Sequence, residues 1–298
     1  MSEGADVGVV VATHNRRASV LATLEQLEAL PERPPIVVVD NGSADGTAAA
    51  VRSSHPGVTL LALDRNRGAF ARNIGADRVQ MPLIAFCDDD SWWLPGALSV
   101  AAEVFRRHPR LGLIAARVMV GSERRLDPLS AVMRGPAPDG LPGPRVTGFL
   151  ACGTVMRREP FLAVGGFCER FMIGAEEELL AIDMRAAGWD LCYADEVVAI
   201  HDPHLEDRGP RGSLSRRNAL WTSWLRKPAG RALRDTAALG WQARSDPVAR
   251  LAVGSALRGI PWALVRRRPA PAWLLREWDE PAGRGSARIA ATDRTFAP

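Results

Sequence analysis

Short runs of uninterrupted apolar residues, each closed by a polar cluster, constrain this chain more than any other feature. Val7–Thr13, Ile36–Asp40 and Leu83–Cys87 are rich in Val, Ile and Leu with no polar alternation. A strand with one wet face alternates apolar and polar residues, whereas a continuous apolar run marks a strand covered on both faces. Between these runs Val20, Leu24, Leu27 and Leu30 recur at helical spacing, Ala69–Arg78 reads as helix, and Pro95–Arg107 as a helix with proline near its start. Strands buried on both sides and alternating with helices predict an α/β protein with a mainly parallel sheet flanked by helices.

The pattern continues with strands at Val58–Leu63, Leu111–Val120, Val146–Met156 and Cys192–Ile200 and a helix at Glu176–Ala187, while residues 121–144, rich in Pro, Gly and charge, predict a long loop. Past Asp202 the texture changes to Arg and Trp in helical patterns. This places a boundary near residue 205, dividing residues 1–205, a catalytic α/β domain, from residues 206–298, an Arg/Trp-rich helical extension. The 298 residues can bury a core that needs neither disulfide nor structural metal. Cys87, Cys152, Cys168 and Cys192 are widely spaced and form no CxxC pair, which argues against a zinc site or a disulfide framework and fits a reducing cytoplasm. The short acidic start, Met1–Asp6, leads directly into a strand rather than a signal sequence, and no uninterrupted apolar run approaches about 18 residues.

Chemistry collects where the strands end. Thr13-His14-Asn15, Asp40-Asn41-Gly42-Ser43 and Asp88-Asp89-Asp90 each follow an apolar run, and Glu176-Glu177-Glu178 opens a helix. Ligands of open α/β sheets bind in the crevice at the carboxyl ends of strands, so the first three clusters should line one site. Consecutive carboxylates at such an edge suit Mg²⁺ or Mn²⁺, hard cations that bridge one or two protein oxygens to substrate phosphates. Neither G-x-G-x-x-G nor a Walker A sequence follows the first strand, which disfavours dinucleotide-binding and P-loop readings.

Six blocks in order carry a resemblance. They are Val11-Ala12-Thr13-His14-Asn15-Arg16, Val37 through Thr47, Asn66-Arg67-Gly68 with Ala71 through Gly75, Phe86-Cys87-Asp88-Asp89-Asp90, Gly165-Gly166-Phe167, and Gly174 through Leu179. Over roughly residues 6–205 the chain resembles a family 2 glycosyltransferase of the Rossmann-like GT-A fold. The resemblance implies a nucleotide-sugar donor, a divalent metal (Mn²⁺ or Mg²⁺), and transfer to a hydroxyl acceptor with inversion at the anomeric carbon. On the family's pattern Thr13, Asn15 and Asp40 hold the nucleoside, Arg72 frames its pocket, Asp88 faces the ribose, Asp89 is a neighbouring carboxylate of the donor site, and Asp90 ligates the metal. Glu177 stands where the family usually has Asp as general base, with Glu176 as the alternative. Cys168 stands where the family commonly has Asp. His201 ends the last strand where similar transferases often carry a histidine near metal or phosphate, with His204 a second candidate.

The extension is strongly basic. From Glu206 onward 18 Lys+Arg stand against 8 Asp+Glu, a net of +10, leaving −6 for residues 1–205. Arg208, Arg216 and Arg217 are candidates for diphosphate contact if the extension folds back over the crevice. Its Trp residues, among them Trp221, Trp224, Trp241, Trp262, Trp273 and Trp278, suit either peripheral contact with an anionic membrane or packing on the catalytic domain. No nucleic-acid motif accompanies the charge. The expected setting is therefore cytoplasmic, with contact to the inner membrane face as an option, and the acceptor is a lipid-linked sugar, a glycan or a small natural product. Two rival functions are a sugar-nucleotide nucleotidyltransferase, which would need a Gly-rich basic loop that Thr13-His14-Asn15-Arg16 does not supply, and a catalytically silent sugar-nucleotide-binding protein.

Overall fold

The computed structural model describes residues 6–138, 140–203, 212–279 and 286–287. Three βα units open it: β1 (Val7–Thr13), α1 (Arg17–Glu28), β2 (Ile36–Asp40), α2 (Thr47–Ser54), β3 (Thr59–Ala62) and α3 (Ala71–Arg78). The acidic strand β4 (Leu83–Asp88), a short β5 (Ser91–Trp93), α4 (Ala97–Arg107) and β6 (Leu111–Val120) follow. Then come β7 (Arg125–Leu126), α5 (Pro128–Met133), β8 (Arg145–Val146), β9 (Thr154–Arg157), α6 (Arg158–Ala163), α7 (Glu176–Ala186) and β10 (Asp190–His201). The extension supplies α8 (Gly212–Arg226), α9 (Ala229–Gln242), α10 (Pro247–Val265), α11 (Ala272–Asp279) and β11 (Ser286–Ala287).

The strands form one sheet ordered β11-β8-β10-β6-β9-β4-β1-β2-β3. β3, β2, β1 and β4 are parallel neighbours, β6 and β10 are parallel to each other, and β9 runs antiparallel to both β4 and β6. The sheet is therefore mixed, yet β1–β4, β6 and β10 all point the same way. Their carboxyl ends share one edge.

The central strands β1, β2 and β4 bury both faces, as their continuous apolar sequences require, whereas the edge strand β3 is partly exposed. Val9, Val11, Val38, Ala85 and Cys87 pack under α1, α2 and α4, through Val20, Leu24, Leu27, Val51, Leu98 and Phe105. Val10, Val37, Val39, Ile84 and Phe86 pack on the other side under α3, α6, α7 and α11. There the rings of Phe86, Phe161 and Phe167 meet with centroids 5.3 to 5.9 Å apart, in the range of favourable edge contacts.

Two expectations change. The strand expected over Val146–Met156 divides into β8, a 3₁₀ turn at Ala151–Gly153, and β9. A Cβ on Gly153 would lie 2.4 Å from Val118 Cγ2, so the backbone turns here against β6, at a place only glycine fits. The loop expected over 121–144 contains β7, paired with β6, and α5, whose N-cap Asp127 accepts a hydrogen bond from the Leu129 N–H (2.7 Å) ahead of Pro128. Asp-Pro is a helix-start signal, but six residues are too few for apolar periodicity to show.

The extension packs directly on α7. Trp221 of α8 is buried between Phe171 and Trp262, and its indole N–H donates to the Ala256 carbonyl (2.9 Å). Gly259 of α10 lies so close that a Cβ there would come within 2.3 Å of the Trp221 ring. Arg226 of α8 grips Asp183 of α7 with two donors, and Arg185 of α7 reaches Glu277 of α11 (2.9 Å). Replacing Trp221 with Ala removes the largest side chain of this junction, and urea titration should show a loss of about 3–5 kcal/mol.

Candidate active site

The β1–β2 register pairs Thr13 with Asp40, and the β1–β4 register pairs Ala12 with Asp88, so three of the polar clusters meet at the common carboxyl edge. The first two are stitched together. Asn15, in the left-handed region at φ 52°, donates its backbone N–H to Ser43 Oγ (2.8 Å) and accepts at Oδ1 from the Ala44 N–H (2.8 Å). Asparagine tolerates that conformation better than most residues. Asp40 is buried and accepts from the Ser43 N–H (3.2 Å). Asn41 holds the neighbouring turn: it donates to Asn66 Oδ1 (3.0 Å) and to the Gly68 carbonyl (3.1 Å), and accepts from the Arg67 N–H (2.8 Å).

The acidic run is folded back by β5. Ser91 pairs with His201 in antiparallel register, and the Asp202 N–H donates to the Asp90 carbonyl (2.8 Å). This brings the Asp90 carboxylate 3.4 Å from His201 Nε2 and 3.7 Å from Arg16. Burial alone would raise the Asp90 pKa, but His201 and Arg16 outweigh it and hold the carboxyl below its usual range. Burial likewise opposes the His201 charge, and Asp90 overcomes it, leaving the imidazole above its usual value. Asp89 faces inward; burial first, then the charges of Asp90 and Asp88, push it up to about 7. Its carbonyl accepts from Ser19 Oγ (2.7 Å) and Thr23 Oγ1 (2.8 Å), anchoring the run to α1.

Asp88 forms an ion pair with Arg72, a guanidinium only 7% exposed. Burial works against the Arg72 charge, but Asp88, Glu176 and Glu177 more than compensate and hold its pKa above the ordinary value. Glu176 is buried beside these groups, and burial raises its pKa against the pull of Arg72. Glu177 is half-buried, and burial and then the charge of Glu176 push it up to about 8. Glu176 Oε2 and Arg72 Nε are buried polar atoms with no hydrogen-bond partner among the described residues. Five carboxylates thus share one edge with two guanidiniums and one imidazole, an excess of negative charge that a cation would relieve. No three His, Cys, Asp or Glu side chains form a ready-made metal cage among the described residues. The pairing of Asp90 with His201 nevertheless fits Mn²⁺ or Mg²⁺, which use few protein donors and complete their shell with phosphate and water.

The loop that leads into Glu176 and Glu177 is held from two sides, and neither hold is visible in the sequence. Asn218 of α8 is fully buried, and its amide donates to the carbonyls of Phe171 (2.9 Å), Ile173 (3.3 Å) and Gly174 (2.6 Å). The Met172 carbonyl accepts from the Ala69 N–H (2.5 Å), and a Cβ on Gly68, at φ 58°, would sit 2.1 Å from that oxygen. Four consecutive carbonyls are therefore fixed, while Met172 and Ala175 occupy positive φ (61° and 58°). Non-glycine residues at positive φ persist only where the surroundings impose them.

Other sequence candidates lie elsewhere. Arg216 pairs with Asp246, and Arg217 donates to the Phe171 carbonyl (2.8 Å) and stacks on Trp221 (4.4 Å), so these two arginines serve the α8 junction rather than facing the crevice. An internal carboxylate and an internal carbonyl take up these two guanidiniums. Cys168, at the position of the family's Asp, packs with Phe171 and Trp221. His204 and Arg208 lie outside the described residues.

Residues 8–165 match the family model for glycosyl transferase family 2. The N-acetylglucosaminyl-diphospho-decaprenol L-rhamnosyltransferase of Mycobacterium tuberculosis is 26% identical over 245 residues, covering 70% of this chain and 80% of the relative. Among solved structures, mannosyltransferase PcManGT from Pyrobaculum calidifontis, in complex with GDP-Man and Mn²⁺, superimposes with a TM-score of 0.58 at 19% identity, covering 88% of this chain and 72% of the other. GalNAc-T7 with UDP, GalNAc and Mn²⁺ gives 0.58 at 16% identity, covering 76% and 49%. At these identities the structural likeness concerns the fold.

The Asn218 hold makes a measurable demand. Asn218→Ala strands buried carbonyls and should cost about 1–3 kcal/mol in urea titration, with faster amide exchange over residues 171–177. Asn218→Asp should be worse than Ala at neutral pH, because a carboxylate would then face those carbonyls.

Proposed function

The chain belongs to glycosyl transferase family 2, a glycosyltransferase acting on nucleotide-sugar donors, and from that premise we propose that it is a metal-dependent, inverting enzyme whose acceptor is a hydroxyl on a lipid-linked substrate. The observation that carries the reading is the meeting of Asp90 with His201, and of Arg72 with Asp88, Glu176 and Glu177, at one sheet edge. The acceptor class is supported by the mycobacterial relative, an N-acetylglucosaminyl-diphospho-decaprenol L-rhamnosyltransferase. Family membership displaces the nucleotidyltransferase alternative. A silent donor-binding protein is the alternative that turnover excludes.

In this mechanism Thr13, Asn15 and Asp40 hold the nucleoside at the β1–β2 lip. Asp88, oriented by Arg72, meets the ribose, and Asp89 keeps the acidic run anchored behind it. Asp90 and His201 would hold a divalent cation, which supplies charge neutralisation for the departing diphosphate when bound. Glu177 takes the proton from the acceptor hydroxyl, so that its oxygen can attack the anomeric carbon opposite the leaving group. A base works best with a pKa near the operating pH, and a carboxyl pushed to about 8 meets that requirement where an ordinary one would not. Glu176, buried next to it, contributes the charge that helps set this value.

Three measurements test the assignment. UDP, GDP or dTDP should raise the melting temperature only with Mn²⁺ or Mg²⁺ present, and Asp90→Ala should abolish that metal-dependent part; an unchanged shift removes Asp90 from the metal site. Glu177→Gln should retain the nucleotide shift while turnover falls by about 10²- to 10⁴-fold. Turnover surviving within about tenfold moves the base to Glu176.

The pH dependence has a definite sign. The working base is the deprotonated form, so turnover should rise with pH through about 8. For stability, a carboxyl whose folded pKa lies above its unfolded value stabilises the fold below the unfolded value of about 4.3 and loses that contribution as pH rises. Here the loss is complete only above about 8. Glu177→Gln should therefore melt higher than the native chain at alkaline pH and show no such gain near pH ~4.

A further inference from the structure

Helix α10 presents two opposite faces. Ala249, Ala252, Ala256, Gly259 and Ala263 form a small-residue stripe that is buried, with Ala256 and Gly259 against Trp221 of α8. On the other side Leu251, Leu257, Leu264 and Val265 are 69%, 51%, 49% and 84% exposed. The adjoining α9 adds Leu233 and Trp241, eight residues apart and hence on one side of that helix, at 59% and 69%. A soluble protein tolerates single exposed apolar residues, but a set repeated along one helix face marks a contact surface.

The charges nearby say what kind of contact it is. From Pro247 to Arg276 the chain carries six arginines, Arg250, Arg258, Arg266, Arg267, Arg268 and Arg276, and no acidic residue. Arg267 is spent inside, donating to the carbonyls of Trp224 and Lys227, while Arg258, Arg266 and Arg268 are exposed beside the apolar face. Apolar side chains flanked by guanidiniums match the acyl and anionic headgroup layers of a bilayer, with an exposed Trp suited to the boundary. A second copy of this chain would bring like charge against like charge. Residues 280–298 carry two large apolar side chains, Ile289 and Phe296, against six exposed on this face. By length and composition α10 could also cross a membrane, with 19 residues and mean hydropathy 1.3, but its buried alanine stripe is already committed to packing on α8.

We propose that the exposed face of α10, extended by Leu233 and Trp241 of α9, docks peripherally on an anionic phospholipid bilayer. This deepens the lipid-linked reading of the acceptor by naming the surface that meets the membrane. The active-site loop is tied to the same body, because α8 packs on α10 through Trp221 and holds the loop before Glu176 through Asn218.

The test is co-sedimentation of the full chain, without donor or acceptor, with vesicles of phosphatidylcholine alone or containing about 30 mol% phosphatidylglycerol. Binding to the anionic vesicles only is expected, weakening as salt rises from about 0.1 M to about 1 M and the Debye length falls from about 10 Å to about 3 Å. Leu257→Glu with Val265→Glu, and separately Arg266→Ser with Arg268→Ser, should each weaken it by about tenfold or more with unchanged melting temperature, as the substituted side chains are exposed. The proposal is overturned by negligible binding to both vesicles, by equal binding to both, or by variants that bind like the native chain. It is also overturned if the native chain is a dimer in size exclusion that the Glu pair splits into monomers. Because neither substrate is present, docking stands or falls separately from the identity of the acceptor.

Discussion

Crowding of negative charge at one sheet edge is the constraint around which the rest of this protein is arranged. Asp88, Asp89, Asp90, Glu176 and Glu177 approach closely enough to shift one another, and isolated buried carboxylates at such density would simply protonate. The fold limits that outcome with a few cationic partners. Arg72 is inserted against Asp88, while His201 and Arg16 flank Asp90. The compensation is uneven: Asp90 is held ionised, whereas Asp89 and Glu177 are pushed to about 7 and about 8. Carboxylates of one chemical type thereby acquire different proton affinities within one edge.

That arrangement depends on backbone that the apolar strands alone do not specify. β5 is three residues long, but its pairing with β10 returns the acidic run toward His201. The loop before α7 departs from ordinary backbone at Met172 and Ala175 and is kept there by Asn218, Gly68 and Ala69. The helical extension is thus part of the site's support, and the arginines that join it to α7 and to the preceding loop, Arg226 and Arg217, are employed as structural donors.

Much of this was legible in the residues. The strands ending at Thr13, Asp40 and Asp88 follow from apolar runs that can only be buried on both faces, and the common direction of parallel strands puts their polar ends on one edge. The helical extension was legible from its pattern, and its tryptophans divide as neither simple expectation foresaw: Trp221 and Trp278 are packed, Trp241 and Trp273 exposed. The break at Gly153, the short helix after Asp127 and the roles of Arg216 and Arg217 were not legible, because each is decided by a neighbour remote in sequence.

What the sequence determined by itself is therefore local: which segments are buried strands, where charge accumulates, and that an acidic body precedes a basic tail. Only the tertiary structure decided which charges become partners. The pairing of Arg72 with Asp88, of His201 with Asp90, and of Asn218 with the loop before Glu176 spans separations from 16 to 111 residues. The physical reason is that a strand's apolar periodicity is set by its own residues, whereas the energy of a buried charge or carbonyl depends on what the fold brings within hydrogen-bond reach.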